Sequence, residues 1–275
     1  MINVSNLGFS YGQFRVLNNI SLKLDEGHIY GLLGENGVGK TTLLSLLCGL
    51  KKNQTGTIDI DGHNPYDREP SFLANIYYLT DDPSAINMSA IKYAENYGRF
   101  WNNFDMGKFN ELLDVFEVNP DQKMDKMSCG QLKKTHISFA LATNTQHLLM
   151  DEPTNGLDIP SKALVRKAIT KYTSEDSCIV ISTHQARDLE NIIDPIIILD
   201  KQDVLLNASI ESISEKLYFY YGNDLLDNPL YKEIIPGGNI QVIPNTTGED
   251  SKVNIEALFN TVSAHKDYIK SIFSK

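Results

Sequence analysis

Gly34-Glu35-Asn36-Gly37-Val38-Gly39-Lys40-Thr41 sits between a short apolar run, Ile29-Tyr30-Gly31-Leu32-Leu33, and a leucine-rich segment from Lys40 to Leu50. The octet fits G-x-x-x-x-G-K-[ST], and its flanks predict the strand and helix that this motif requires. Each residue type has a physical reason. Glycines let the backbone curl so that successive N–H groups point inward, and the helix N-terminus adds partial positive charge. The Lys40 ammonium suits β and γ phosphate oxygens, and the Thr41 hydroxyl suits a Mg²⁺ ion beside them. An accidental match arises on the order of once in a hundred chains of this length, and the strand–loop–helix context lowers those odds. The stretch predicts a nucleoside triphosphate site in an α/β fold.

Outward from this unit the chain shows two textures. In the first third, Ile2-Asn3-Val4, Ile20 to Leu24 and Gly56 to Gly62 alternate apolar and polar positions, which predicts antiparallel strands joined by turns. Later, Leu148 to Met150, Cys178 to Ile181 and Pro195 to Leu199 are short continuous apolar runs. Expected helices at Ser161 to Tyr172 and Ala186 to Ile192 separate them, a pattern that predicts a parallel sheet covered on both faces. Residues 84–145 lack strand alternation and read as helical. Tyr93, Tyr97, Trp101 and Phe104 fall at helical spacing there, a stripe expected to pack inward rather than to bind.

After Asn207 the texture changes again. Leu217 to Tyr221 and Ile240 to Ile243 are expected strands, with turns at Gly237-Gly238 and Asn245 to Asp250. Ile255, Leu258, Phe259, Val262, Ile269 and Ile272 form one face of a single expected closing helix. The expected organisation is a nucleotide-binding domain over residues 1–206 and a small accessory domain over residues 207–275.

The whole chain has 275 residues, 41% hydrophobic and 22% charged, which is an ordinary globular composition. Its 25 basic and 35 acidic side chains give a net charge of −10, and no basic stripe appears, which argues against a nucleic-acid partner. Apolar runs such as Ile192 to Leu199 are far short of the roughly 20 residues that cross a bilayer. Met1 to Ser10 reads as a strand and not as a signal peptide. Cys48, Cys129 and Cys178 are scattered, without zinc spacing or disulfide pattern, and point to a reducing compartment.

Two further sites carry candidate chemistry. Leu148-Leu149-Met150-Asp151-Glu152 places two carboxylates at the C-terminal end of an expected buried strand, where ligands of such sheets bind. Asp151 suits Mg²⁺, directly or through its water, and Glu152 suits activation of an attacking water as general base. In isolation an acidic turn is the plainer account; beside a phosphate loop the functional one becomes several-fold stronger. His184 ends another apolar strand, where its ring can donate to a γ-phosphate.

Together these residues resemble the nucleotide-binding domain of ABC transporters. Met127-Ser128-Cys129-Gly130-Gln131 resembles that family's LSGGQ signature, and Asp158, in Asn155-Gly156-Leu157-Asp158, matches its D-loop. His184 matches the switch histidine, and Tyr11 the aromatic that stacks on adenine. The resemblance spans about residues 1 to 205 and holds several motifs in the family's order. It implies a P-loop NTPase, RecA-like core with an antiparallel β subdomain and an α-helical subdomain at about residues 84–145. It implies ATP hydrolysis with Mg²⁺, and a head-to-tail dimer with a second ATP-binding subunit, identical or not. Each ATP would touch Gly34, Asn36, Gly37, Gly39, Lys40, Thr41 and Thr42 of one chain, and Ser128, Gly130 and Gln131 of the other. The helical subdomain would dock on an integral-membrane permease subunit, holding the chain on the cytoplasmic face of the membrane. Finer texture around Phe100 to Asp105 resembles the bacterial ABC-2 or exporter branch.

Three positions depart from the family pattern. Met127 and Cys129 replace Leu and Gly in the signature, and Asp81 stands where the Q-loop glutamine is expected. A carboxylate there adds negative charge near Asp151, Glu152 and a triphosphate, which is unfavourable unless a cation intervenes. The expectation is therefore that Asp81 helps Thr41 and Asp151 hold Mg²⁺, with an orientation towards the permease as the alternative. A soluble ABC ATPase acting on chromosomes or ribosomes, and an ATP sensor without turnover, are the rival functions. The first would carry long inserts, zinc cysteines or basic surfaces, and the second would not be expected to retain Glu152 and His184.

Overall fold

The computed structural model describes residues 1–273. A hairpin of β1 (Ile2–Tyr11) and β2 (Phe14–Leu24) leads to β3 (His28–Leu33) and, after the glycine-rich loop, to α1 (Lys40–Leu47). β4 (Thr55–Ile60) pairs back onto β1, so the order β2-β1-β4 forms the antiparallel sheet expected from the alternation. α2 (Pro70–Ala74) and β5 (Ile76–Leu79) precede a helical block of α3 (Ala90–Tyr97), α4 (Met106–Val115) and α5 (Cys129–Ala142). Then come β6 (His147–Asp151), α6 (Ile159–Tyr172), β7 (Cys178–Thr183), β8 (Ile196–Asp200) and β9 (Asp203–Ala208). The chain closes with α7 (Ile210–Lys216), β10 (Leu217–Gly222), β11 (Tyr231–Ile235), β12 (Gly238–Pro244), α8 (Ile255–Ala264) and α9 (Lys266–Phe273).

The central sheet runs β5-β6-β7-β3-β8-β9, parallel except for the antiparallel edge strand β9. Its inner strands are largely apolar because both faces are covered, and the two-residue period sorts their side chains between two cores. Tyr30, Leu32, Leu149, Val180, Ile197 and Leu199 face α1 and the antiparallel sheet. Leu33, Leu148, Met150, Ile179, Ile181 and Ile198 face the helical block and the C-terminal elements. The register pairs Leu79 with Met150, Asp151 with Ser182, and Leu33 with Thr183. The loops that follow β5, β6, β7 and β3 therefore emerge side by side at one edge, which brings four distant parts of the sequence together.

Phe139 on α5 organises the helical block. The rings of Tyr93, Trp101 and Phe104 lie 4.8, 5.7 and 5.0 Å from it. Tyr93, Trp101 and Phe104 pack inward as expected, whereas Tyr97 is 37% exposed, and only Tyr93 and Tyr97 belong to an α-helix. Two other expected helices change form. Between Ala186 and Ile192 only a 3₁₀ turn, Ala186–Asp188, forms. There the Asp188 carbonyl is taken by Arg166 (2.9 Å) and its carboxylate by Lys162 (2.6 Å), while Ile192 N–H turns to Leu189. The closing helix is split at His265, whose ring nitrogen lies 2.7 Å from the Leu230 carbonyl oxygen.

The C-terminal elements form a second, three-stranded sheet, β10-β12-β11, backed by α8. Its apolar residues, including Phe219, Val242, Leu258 and Val262, belong to the same continuous core as Ile181 and Ile198. The expected boundary after residue 206 falls inside β9, and the chain leaves the central sheet after Ala208.

Candidate active site

The glycine-rich loop leaves the C-terminal end of β3 and enters α1. Gly34 is fixed by packing, since a Cβ there would stand 2.5 Å from the Leu199 carbonyl oxygen of the neighbouring strand. Gly39, just before the helix, has φ 114°, a conformation that L side chains rarely adopt. Lys40, the first helical residue, is buried, and its ammonium donates to the carbonyls of Gly34 (2.7 Å) and Glu35 (3.1 Å). It also lies 3.6 Å from Glu152 Oε1. Burial lowers the Lys40 pKa, and the nearby Glu152 and Asp151 offset that only in part.

Asp151, at the end of β6, is a buried carboxylate supplied with donors. Thr41 Oγ1 donates to it at 2.6 Å, the Ser182 hydroxyl donates to its other oxygen, and Tyr78 OH stands at 3.4 Å. Such saturation is what a buried charge needs. Glu152 follows with φ 47°, a left-handed backbone unusual for a glutamate, and its N–H bonds the Ser182 carbonyl (3.1 Å). That turn aims its carboxylate at His184. His184 Nδ1 lies 2.9 Å from Glu152 Oε1, and the His184 backbone N–H donates to Oε2 at 3.3 Å. The Gln185 side-chain amide meets His184 Nε2 at 3.2 Å. An amide N–H donated to Nε2 leaves the ring proton on Nδ1, facing Glu152.

Gly34 and His184 line a different cleft, whereas Gly39, Lys40, Thr41 and Glu152 line one of about 350 Å³ together with Tyr11, Asn36, Gly37, Thr42 and Asp81. Tyr11 presents a half-exposed ring at its mouth, with its hydroxyl 3.4 Å from Thr42 Oγ1 and the Lys51 ammonium 5.0 Å from the ring centre. Such an open aromatic face suits a stacked base.

Ser128, Gly130, Gln131 and Asp158 lie elsewhere, and none of them lines this cleft. Ser128 caps α5, its Oγ accepting from Gln131 N–H (3.2 Å) while Gln131 Oε1 accepts from Ser128 N–H (3.0 Å). Asp158 caps α6 by accepting from Ser161 N–H at 2.8 Å, and hydrogen bonds from the Ser161 hydroxyl and N–H lower its pKa.

Asp81 is on the cleft wall, but its carboxylate already has a cation. Lys133 Nζ donates to Oδ1 at 3.0 Å, and Asn155 Nδ2 approaches both oxygens at 3.2 and 3.3 Å. The repulsion that made a metal the expected partner is thus relieved by Lys133. Neither Lys133, Asn155, Ser182 nor Tyr78 was anticipated from the sequence. For Lys133 a signal exists: it precedes Ile137 and Ala140 by one and two helical turns, so it lies on the buried face of α5.

The model of the ABC transporter family matches residues 17–155. An ABC transporter ATP-binding protein of Methanocaldococcus jannaschii, itself uncharacterized, is 29% identical over 90% of this chain and 92% of its own length. The lantibiotic transport ATP-binding protein SrtF of Streptococcus pyogenes is 28% identical over 82% of this chain and 98% of its own. Among solved structures, a dimeric bacterial ABC transporter cassette superposes with a TM-score of 0.67 at 25% identity, covering 76% of this chain and 98% of the cassette.

Proposed function

Since the chain belongs to the ABC transporter family, we propose that it is the ATP-hydrolysing subunit that powers transport through a separate membrane permease. The observation that carries this is the placement of Glu152, held 2.9 Å from His184 and 3.6 Å from Lys40 at the end of β6. A carboxylate so held can take a proton from a water attacking the γ-phosphate, while Lys40 neutralises charge on the β and γ oxygens. His184, whose Nδ1 proton faces Glu152 rather than the γ-phosphate first expected, orients that carboxylate, and Tyr11 supplies the stacking face for adenine. Thr41 Oγ1 and Asp151 Oδ2, hard oxygen donors 2.6 Å apart, fit a Mg²⁺ ion. When bound, that ion would supply positive charge against the negative charge of the phosphates.

Ser128, Gly130, Gln131 and Asp158 are assigned to the cleft of a second ATP-binding subunit in a head-to-tail pair. Their support is that they sit at two helix N-termini, away from their own chain's cleft, and that one similar cassette is itself dimeric. The permease is assigned to a groove of about 610 Å³ beside the helical block. Leu73, Tyr77, Tyr97 and Trp101 line it, and Leu50 and Phe100, more than half exposed, rim it. That partner would hold the chain at the cytoplasmic membrane face; no helix among the described residues is long and apolar enough to cross a bilayer. The relation to a lantibiotic transport protein favours the exporter branch. Residues up to about Ala208 are assigned to the ATP-binding domain and the remainder to an accessory unit.

The test is Mg²⁺-dependent phosphate release by the purified chain. Lys40→Ala should abolish it, because the charge on the transferred phosphoryl group loses its counter-cation. Turnover by Lys40→Ala at the rate of the unaltered chain would sink the assignment.

A further inference from the structure

The nucleotide cleft shares a wall with a second cleft, of about 290 Å³, between α5 and the loops that follow β5 and β6. Asp81 lines both, and Lys133 lies behind it with its side chain only 10% exposed. The Lys133 ammonium has three N–H groups and three acceptors: Asp81 Oδ1 at 3.0 Å, the Glu152 carbonyl at 3.1 Å and the Asn155 carbonyl at 3.0 Å. Asn155 closes the circuit by donating its side-chain amide to Asp81. One ammonium thereby ties together the helix that Ser128 caps, the loop bearing Asp81 and the turn bearing Glu152.

We propose that Lys133 and Asp81 act as one charged pin that positions Glu152 for hydrolysis, a role that rests on the ATPase reading above. Glu152 has the left-handed backbone, so its carboxylate direction depends on how that turn is held. Lys133 holds it by the carbonyl of Glu152 itself, and Asp81 keeps the buried ammonium neutralised. Neither member works alone. Removing Asp81 leaves a buried cation facing two carbonyls. Removing Lys133 frees a carboxylate that lines the same cleft as Glu152, where like charges repel. Removing both charges leaves neither fault. The pin also explains how this chain tolerates an acid where the family's glutamine is expected: the charge is matched from α5 and requires no metal. Both residues are positioning residues, since they act through the Glu152 turn.

The experiment is a double-mutant cycle on the full-length chain with Lys133→Met, Asp81→Asn and the pair combined. Turnover is expressed per ATP-binding site, counted by titration, so that loss of folded protein does not register. Each single variant should lower kcat by about tenfold or more, as displacement of a catalytic group does, while KM for ATP changes less than about twofold. The double variant should be no slower than the slower single. Losses that multiply in the double variant would overturn the proposal, as would a kcat per site unchanged in either single. Should Lys133→Met fail to fold, Lys133→Gln takes its place with the same expectations. Absence of turnover in the unaltered chain would strike the ATPase reading and the pin together; normal turnover, lost in Lys40→Ala, with indifferent pin variants would strike the pin alone.

Discussion

Replacing Glu152 by glutamine changes one charge and almost no volume at the centre of the site. The side chain is 11% exposed, and its carboxylate accepts from His184 Nδ1 (2.9 Å) and His184 N–H (3.3 Å). The amide oxygen of glutamine can keep one of these bonds, so the fold of the turn should persist. What disappears is the base, and a positioned general base is worth about 10² to 10⁴ in rate. Ground-state binding should move the other way. A buried carboxylate beside a phosphate charge opposes binding, so its removal should leave ATP affinity unchanged or tighten it. Single-turnover phosphate release gives the first quantity and calorimetric titration the second. With ATP trapped unhydrolysed, sedimentation should show a dimer that persists. A rate within threefold of the unaltered chain would refute the assignment of Glu152 as base. Weakened ATP binding would refute the claim that its role is confined to the chemical step.

Further expectations follow from burial and packing. His147 donates from Nε2 to Asp61 (2.6 Å), while its Nδ1 is buried without a hydrogen-bond partner among the described residues. Burial lowers its pKa from the ordinary 6.5, as it does for His136, so the unfolded chain takes up protons first as pH falls. Stability should be full above 6.5 and decline below it, by up to about 1.4 kcal/mol per pH unit for each histidine. Thermal melts at pH values down to about 5.5 test this, and an undiminished slope in His147→Gln would refute it. Ending the chain at Ala208 should preserve ATP binding measured by calorimetry but lower the thermal midpoint. Exposing Leu205 and Leu206 on β9 costs about 1.5 to 3 kcal/mol each, and a folded truncation that cannot bind ATP would refute the division. Phe100→Asp, on the rim of the apolar groove, should leave basal hydrolysis unchanged and abolish co-purification with a permease; retained association would place the docking surface elsewhere.

The phosphate loop, the paired carboxylates and His184 were legible because each is a local pattern at the end of an apolar strand. The two-residue period likewise disclosed the antiparallel sheet, and the continuous apolar runs disclosed the parallel one. Lys133 was not legible in the same way, because its partners at Asp81, Glu152 and Asn155 come from two other loops and meet it only after the sheet orders β5 beside β6. A carboxylate at residue 81, read without that neighbour, called for a metal. The 3₁₀ turn at Ala186–Asp188 escaped for a related reason: the carbonyl that would have continued a helix is claimed by Arg166 of α6. The edge strand β9 and the strand β11 carry no strong alternation, and their pairing with β8 and β12 supplies what their composition does not.

The contact between Gly34 and the Leu199 carbonyl bears on how mutational surveys of this chain should be interpreted. Scored by growth or by ATP turnover, Gly34 will look as indispensable as Lys40, and the two will be grouped as chemistry. Scored by protein abundance, Gly34 should still be intolerant, because any Cβ displaces β8 before nucleotide arrives. Two surveys with different readouts would therefore divide this eight-residue motif into masonry and machinery, a distinction that its familiar spelling conceals.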